Sequence, residues 1–334
     1  MNGRRVFAVG ASLAIAAALA GCGGGGTGSG GDKDLTIKIG IFPVVSPVPV
    51  MQQQKKLEDQ GYTVKWIQVN GGLPQAASAL AAGKLDMVYA NSASAITIFA
   101  KSPKVAEFVG RSFVNLNVTV ASNKSGIKSA KQLDSDPKVV VSGMKTASTL
   151  FYELGAKKAG VTPDRDKYFI SGTGPGMVGV MASGGADVAA AYVPYSTQMV
   201  KKKIGHVLYT ASDALGMTAP GDGFIARQGF AKKHPEAVVD VLRAQFAATD
   251  TIKKDPAAQY QTIAKFAKVD VSTVKYSFSH GDIIAPSYAP GVKSMVTVAK
   301  LAQKNGFAPK GVDLAAFAKK FANTSFAKKA AASK

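Results

Sequence analysis

One cysteine, Cys22, stands in a chain of 334 residues, so a single copy can build neither a disulfide nor a thiolate metal site. Histidine is nearly as scarce. His206, His234 and His280 are dispersed, with no metal-ligand spacing and no Ser-His-acid arrangement. The single tryptophan, Trp66, sits in mid-strand, where packing is its expected role. Acidic residues number 21 against 41 Lys and Arg, a formal net charge of +20. No apolar run reaches the ~18 residues that a spanning helix needs. Metal, thiol and triad chemistry are therefore not expected, no cofactor is called for, and the reading is of a protein that is not an enzyme.

What is present starts with a bipartite N-terminus. Arg4 and Arg5 precede the apolar stretch Val6 to Ala20, which is too short to span a bilayer. Leu19-Ala20-Gly21-Cys22 follows and resembles the lipobox of bacterial lipoproteins. The expectation is a signal peptide over 1–21, lipidation at Cys22 and a Gly-rich leash over 22–33 that tethers a domain to a membrane. Without residues 1–21 the net charge is +18, carried by 35 Lys and only four Arg. The lysines fall in scattered pairs such as Lys157-Lys158 and Lys319-Lys320. Nucleic-acid readers favour Arg and clustered aromatics, so the excess reads as solvated surface and a field that draws anionic solutes.

One pattern occurs twice. Ala81-Ala82-Gly83-Lys84-Leu85-Asp86 returns as Ala182-Ser183-Gly184-Gly185-Ala186-Asp187, and each copy runs into a small, apolar segment. A helix that ends at a glycine able to take the left-handed conformation, then an Asp that opens a buried strand, accounts for either copy. A loop and a new helix follow each strand. Such a unit sets polar groups and helix N-termini at the C-terminal edge of a parallel sheet, where α/β folds hold ligands. Two copies imply two sheets, two lobes and one cleft.

Around the copies, strands are expected at Leu35 to Phe42, Tyr62 to Val69, Val105 to Gly110, Val139 to Val141, Tyr168 to Ile170, Val207 to Tyr209 and Phe224 to Ala226. Phe113 to Ala121 reads as a crossing between lobes, and the chain beyond Phe230 reads as helical. Gly174-Pro175-Gly176-Met177-Val178-Gly179 fits G-x-G-x-x-G, but Pro175 removes a backbone donor and no acid lies about 20 residues on. The motif is a decoy.

The order and spacing of these pieces carry a resemblance. Ile39-Gly40-Ile41-Phe42-Pro43, Ala79 to Asp86, Ser125-Gly126-Ile127-Lys128-Ser129, Asp187 to Tyr195, Gly229 to Glu236 and Phe317 to Phe326 resemble the substrate-binding lipoproteins of ABC importers. The group is the nitrate, taurine and aliphatic-sulfonate class, which also holds binders of thiamine-pyrimidine precursors. The resemblance implies an α/β, two-lobed periplasmic-binding-protein-like fold of type II with two hinge-crossing strands. It implies lobe I over 34–114 and 214–334, and lobe II over 115–213. It also implies a monomeric receptor in the cell envelope, facing the periplasm or exterior, partnered by an importer permease. Its ligand would be a small organic anion, an organosulfonate or similar oxyanion. Nitrate, a pyrimidine or aromatic precursor, or a cleft enzyme of the same fold are the alternatives.

Six loops should line the cleft, at 43–48, 70–75, 89–94, 145–149, 173–178 and 192–196. None contains Asp or Glu. Ser46, Asn70, Gly72, Asn91, Ser92, Ser94, Thr146 and Ser148 supply hydroxyls, amides and backbone N–H groups suited to oxyanions. Phe42, Tyr89, Tyr192 and Tyr195 would wall an organic body. Lys145 stands where the family often has a second glycine, and could add a charge. Asp222 is the nearest carboxylate, and its place outside the loops makes a ligand with a free ammonium group less favoured.

Overall fold

Ten strands in the computed structural model form two sheets of five. The structure describes residues 34–42, 44–170, 174–281 and 283–332. The expected signal peptide, Cys22 lipidation and Gly-rich leash lie outside the described residues.

The first sheet contains β1 (Leu35–Ile41), β2 (Tyr62–Gln68), β3 (Met87–Asn91), β4 (Ala106–Phe113) and β10 (Asp222–Arg227), in the order β2-β1-β3-β10-β4. The second contains β5 (Asn117–Ser122), β6 (Val139–Val141), β7 (Tyr168–Ile170), β8 (Val188–Tyr192) and β9 (Gly205–Thr210), in the order β7-β6-β8-β5-β9. The orders correspond strand for strand. In each sheet one antiparallel strand, β10 or β5, lies between the last two strands of the other direction. Each of these follows a passage of the chain from the opposite sheet, at 114–116 and at 211–221. This is a two-lobed α/β architecture of the type II periplasmic-binding-protein kind.

The repeated sequence pattern explains the correspondence at atomic level. Gly83 and Gly184 both take left-handed conformations, with φ of 68° and 80°. Three residues later the Asp pins the sheet. Asp86 N–H donates to the Lys38 carbonyl while Lys38 N–H donates to the Asp86 carboxylate at 3.1 Å. Asp187 makes the same pair of bonds with Lys138, the second at 2.9 Å. The carbonyls of Asp86 and Asp187 then accept from Arg227 and Ser122, the last residues of β10 and β5. The motif therefore fixes the start of a parallel strand against its neighbour and the end of the antiparallel one. Arg227 also bridges to the Asp86 carboxylate at 2.9 Å, an addition without a counterpart at Asp187 among the described residues.

Both faces of the central strands are covered. Along β3, Met87 and Tyr89 pack in one hydrophobic cluster, and Val88 and Ala90 in another. That two-sided burial is why these strands are continuously apolar. The decoy motif has an equally local cause. The helix Gly174–Ser183 begins at the first glycine, and a Cβ there would sit 1.9 Å from the Tyr195 ring.

The helices after β10 do not all stay against the first sheet. Pro235–Lys254 packs on β4, and Leu314–Phe321 packs on β4 and on the helix Ser92–Phe99. Val271–His280 instead packs on Tyr195–Lys201 of the second lobe, while its neighbour Ala257–Ala267 packs on Val48–Met51 and Pro235–Lys254. There Tyr195 donates to the Ala267 carbonyl at 3.2 Å and Ser277 donates to Thr197 at 2.8 Å. No helix of the described residues is long and apolar enough to cross a membrane.

Candidate functional site

A cavity of about 750 Å³ lies between the two sheets. The first turns of five helices reach it: Gly72 and Leu73, Ser94, Ala147 and Ser148, Gly174 and Pro175, and Tyr195. Its size is that of a pocket for a small organic molecule.

Two helix starts meet at the cavity wall, where Ala147 N–H donates to Ser94 Oγ at 3.0 Å. Asn91 caps its own helix, with Oδ1 accepting from the N–H groups of Ala93 and Ser94. Ser92 N–H donates to the Gly221 carbonyl. The first three N–H groups of Ser92–Phe99 are therefore already engaged, which leaves little there for an anion. Across the cleft, Thr146 caps Ala147–Lys158 by accepting from Thr149 N–H, and Ser148 lies between the two engaged amides.

The two antiparallel strands open on matched polar residues. Asn117 begins β5 opposite Tyr192, and Asp222 begins β10 opposite Asn91. Both line the cavity. A serine serves each: Ser148 donates to Asn117 Oδ1 at 2.8 Å, and Ser46 donates to Asp222 Oδ2 at 3.2 Å. Asp222 Oδ1 also accepts from Asn91 Nδ2 at 2.7 Å. The two bonds Asn91 Oδ1 accepts force its nitrogen toward Asp222, so the amide orientation follows from the network. Asp222 is 8% exposed. Burial pushes its carboxyl up from the ordinary range to about 6, against the pull of the Asn91 and Ser46 bonds. Tyr89, buried beside it, is pushed well above the usual phenol range by burial and then by the Asp222 charge. Burial likewise raises Tyr192, to about 12.

Ten of the thirteen residues expected to bind ligand line this one cavity: Asn70, Gly72, Tyr89, Asn91, Ser94, Thr146, Ser148, Tyr192, Tyr195 and Asp222. Three stand outside its lining. Ser46 and Ser92 are fully buried, with hydroxyls committed to Asp222 and to the Gly221 carbonyl. Lys145 is exposed and is not among the lining residues. The stretch 91–94, expected as loop, is the end of β3 and the first helical turn, which is why its donors are already in use. Asp222 lines the cavity from a strand, not from a loop. Because β10 is antiparallel, its N-terminal end arrives where the parallel strands finish, so a strand residue reaches the site that loops were expected to own.

Asn117, Phe266 and Lys268 line the cavity without having been singled out. Extending the repeat to the strands after each crossing would have paired Asn117 with Asp222. Nothing comparable marks Phe266 or Lys268, which reach the site only because their helix pair leans across. Among the described residues, no group of His, Cys, Asp and Glu could hold a metal ion.

A two-lobed fold around a cleft that mixes polar and aromatic side chains defines the class of periplasmic-binding-protein folds. Residues 30–268 match the model of the NMT1-like family, and the chain belongs to that family. No curated protein sequence matches the chain significantly. Among solved structures it is similar to the alkanesulfonate-binding protein SsuA from Xanthomonas axonopodis pv. citri bound to MOPS, with 18% identity and a TM-score of 0.69 over 84% of this chain and 97% of that one. The periplasmic nitrate-binding protein NrtA from Synechocystis PCC 6803 aligns with 15% identity and a TM-score of 0.76 over 90% and 89%. A Candida albicans gene product described as having the generic periplasmic binding protein fold aligns with 12% identity and a TM-score of 0.66 over 86% and 95%. At these identities the likeness establishes the fold.

Proposed function

We propose that the protein is the extracytoplasmic solute receptor of an ABC importer and that it closes its lobes over a small organic solute. The observation that carries this reading is the cavity, whose wall is shared by both sheets and mixes aromatic rings with hydroxyls and amides. A solute that touches both walls favours the closed arrangement by its differential affinity, which is what a shuttle between capture and delivery requires. The sulfonate and nitrate binders among the structural neighbours support the transport role.

An organosulfonate or similar oxyanion suits the second-lobe wall, where the first turn of Ala147–Lys158 brings a helix N-terminus to the cavity at Ala147 and Ser148. Phe42, Tyr89, Tyr192 and Phe266 offer surfaces for an organic body. Nitrate alone, four atoms, would leave most of about 750 Å³ unfilled. A pyrimidine or other nitrogen heterocycle is the second reading, favoured by the buried acceptor Asp222. Lipid anchoring through Cys22 would hold the receptor beside its permease.

Calorimetric titration of the protein with alkanesulfonates, arylsulfonates, pyrimidines and nitrate tests the reading. One organic class should bind saturably with one site per chain. Binding of nitrate alone, or turnover of a bound compound, would contradict it.

A further inference from the structure

The two edges of the first sheet differ in charge. The stretches 42–54, 69–83, 92–100, 114–116 and 217–221 adjoin the edge that faces the cavity, and they hold no charged residue of either sign. At the opposite edge β1, β2, β3 and β4 begin and β10 ends. There the turn before β4 carries Lys101 and Lys104, the helix Gln228–Lys233 ends on Lys232 and Lys233, and the last turn of Leu314–Phe321 holds Lys319 and Lys320. Contacts bring these three elements together. Gln228 Nε2 donates to the carbonyls of Pro103 and Ala106, each at 3.2 Å. The Phe321 ring stacks on Phe99 at 5.7 Å, and Asn323 N–H donates to the Phe108 carbonyl. All six lysines are exposed, and none of their ammonium groups has a hydrogen-bonded or ion-paired partner among the described residues.

Acids do not neutralise the group. Asp86 is bridged to Arg227, and Glu107 accepts from Asn323 Nδ2 at 2.9 Å. Glu58 and Asp59 lie beside β2, at the far side of the sheet, and are bonded to Gln54 and Lys55. Asp34 and Glu236 are the remaining exposed acids of this edge. The chain also enters the described structure here, at the start of β1. From β1 to β4 there are three strand spacings, about 14 Å in all. The Gly-rich leash expected over 22–33 would reach roughly 17–21 Å. A lipid on Cys22 would therefore keep the six lysines within reach of the headgroups of the same bilayer. Each lysine at an anionic leaflet raises partition about fivefold.

We propose that this edge of the first lobe is a docking surface for an anionic lipid leaflet. The lysines rest on the headgroups, the uncharged edge points away from them, and the cavity stays clear of the bilayer and open to solute. Delivery then requires the lysines to let go, so the surface sets a posture for capture and its hold weakens as salt rises. The proposal goes beyond the solute-receptor reading. It calls for an anionic bilayer and for no particular solute, so vesicle binding and solute titration can fail separately.

The test uses the chain from residue 22 with Cys22→Ser, which keeps every described residue and carries no lipid. Its partition is measured by co-flotation with vesicles of phosphatidylcholine alone and of phosphatidylcholine with about 30% phosphatidylglycerol. The anionic vesicles should bind it, the neutral ones should not, and binding should collapse between about 0.05 M and 0.5 M salt. Replacing Lys101, Lys104, Lys319 and Lys320 by Gln should lower partition about a hundredfold. A charge-matched control replaces Lys128, Lys131, Lys138 and Lys202 of the second lobe by Gln, all exposed. It should lower partition about threefold or less, because those lysines stand more than a Debye length from the leaflet. Melting temperatures show that both proteins are folded. Should the first variant melt early, its two lysine pairs are replaced separately, each with an expected loss of about tenfold. Equal losses in the two fourfold variants would mean that net charge and not this edge binds the lipid, and would overturn the proposal. Equal binding to neutral and anionic vesicles, or no binding to the anionic ones at low salt, also overturns it and leaves the receptor standing.

Discussion

Asp222 and Asn117 occupy matched corners of the two lobes, yet only one of them titrates. Burial holds the Asp222 carboxyl at about 6. Between the ordinary carboxylate value and that point, the folded chain keeps a proton that the unfolded chain has lost. Stability therefore falls as pH rises through this window, and the full penalty, about 3 kcal/mol, is present at pH 7. Asp222→Asn escapes it. Thermal unfolding should find the variant more stable than the wild type at pH 7, and the difference should fade toward pH 4. A gap of equal size at both pH values would show that ionisation is not its origin. Asn91→Ala should do the opposite. It removes a helix cap worth about 1 kcal/mol and also the shortest bond to Asp222, so its loss on chemical denaturation should exceed that of a simple cap deletion. Loss no greater than a bare cap would mean the Asn91 amide does little for the carboxylate.

At the scale of elements, the helix Ala147–Lys158 presents Ala147 and Ser148 to the cavity, and its far half is tied down by charge. Glu153, with a side chain only 3% exposed, accepts two bonds from Arg165 at 2.8 Å each. Arg165 also donates to the Asn305 carbonyl and lies over the Phe307 ring, so one guanidinium links this helix to the C-terminal region. Arg165→Met strands a buried carboxylate and should cost about 2 kcal/mol, below the range for fully buried pairs because the arginine is nearly half exposed. The double variant Glu153→Gln with Arg165→Met should recover most of it. A single variant within experimental error of wild type would mean that Glu153 is not held by charge.

Which elements could be read from the sequence follows from how local their causes are. The A-x-G-x-x-D copies predicted Gly83 and Gly184 as left-handed helix ends and Asp86 and Asp187 as strand starts, since both depend on neighbours within a few residues. The strands Val139–Val141 and Tyr168–Ile170 and the helices Ala257–Ala267 and Leu314–Phe321 fall where apolar pattern puts them. Residues 48–58 break into two short helices, Val48–Met51 and Gln54–Glu58. Ala130–Ser135 is a 3-10 helix opened by a Ser129–Gln132 capping box. The site was legible to the extent that it is made of strand ends and helix starts near the repeat. Ser46 and Ser92 carry the right chemistry in the right segments, but burial turns them inward to serve Asp222 and Gly221. Lys268 depends on a tertiary contact that no local pattern reports.

For the whole molecule, the lobes meet at places other than the cavity. Besides Ser94 and Ala147, the Thr197–Ser277 hydroxyl pair and the Lys201–Asp270 ion pair at 3.8 Å join the second lobe to the helices after β10. The ion pair is largely solvated and contributes little. The buried hydroxyl pair is the better lever. Replacing both partners together, Thr197→Val with Ser277→Ala, leaves no orphaned group, so folding stability should change little. The bond itself is worth about 1 kcal/mol, so if it stabilises the closed arrangement, solute dissociation should quicken about fivefold. Stopped-flow release, followed by displacement, checks this, and an unchanged rate with unchanged stability would remove these helices from the closing motion.

The most direct test is a calorimetric titration of the organic-solute panel in the wild type beside Val44→Trp, which places an indole at the cavity wall. The account predicts one saturable site per chain in the wild type and its loss in the folded variant. Equal binding by both proteins would put the solute somewhere other than between the sheets.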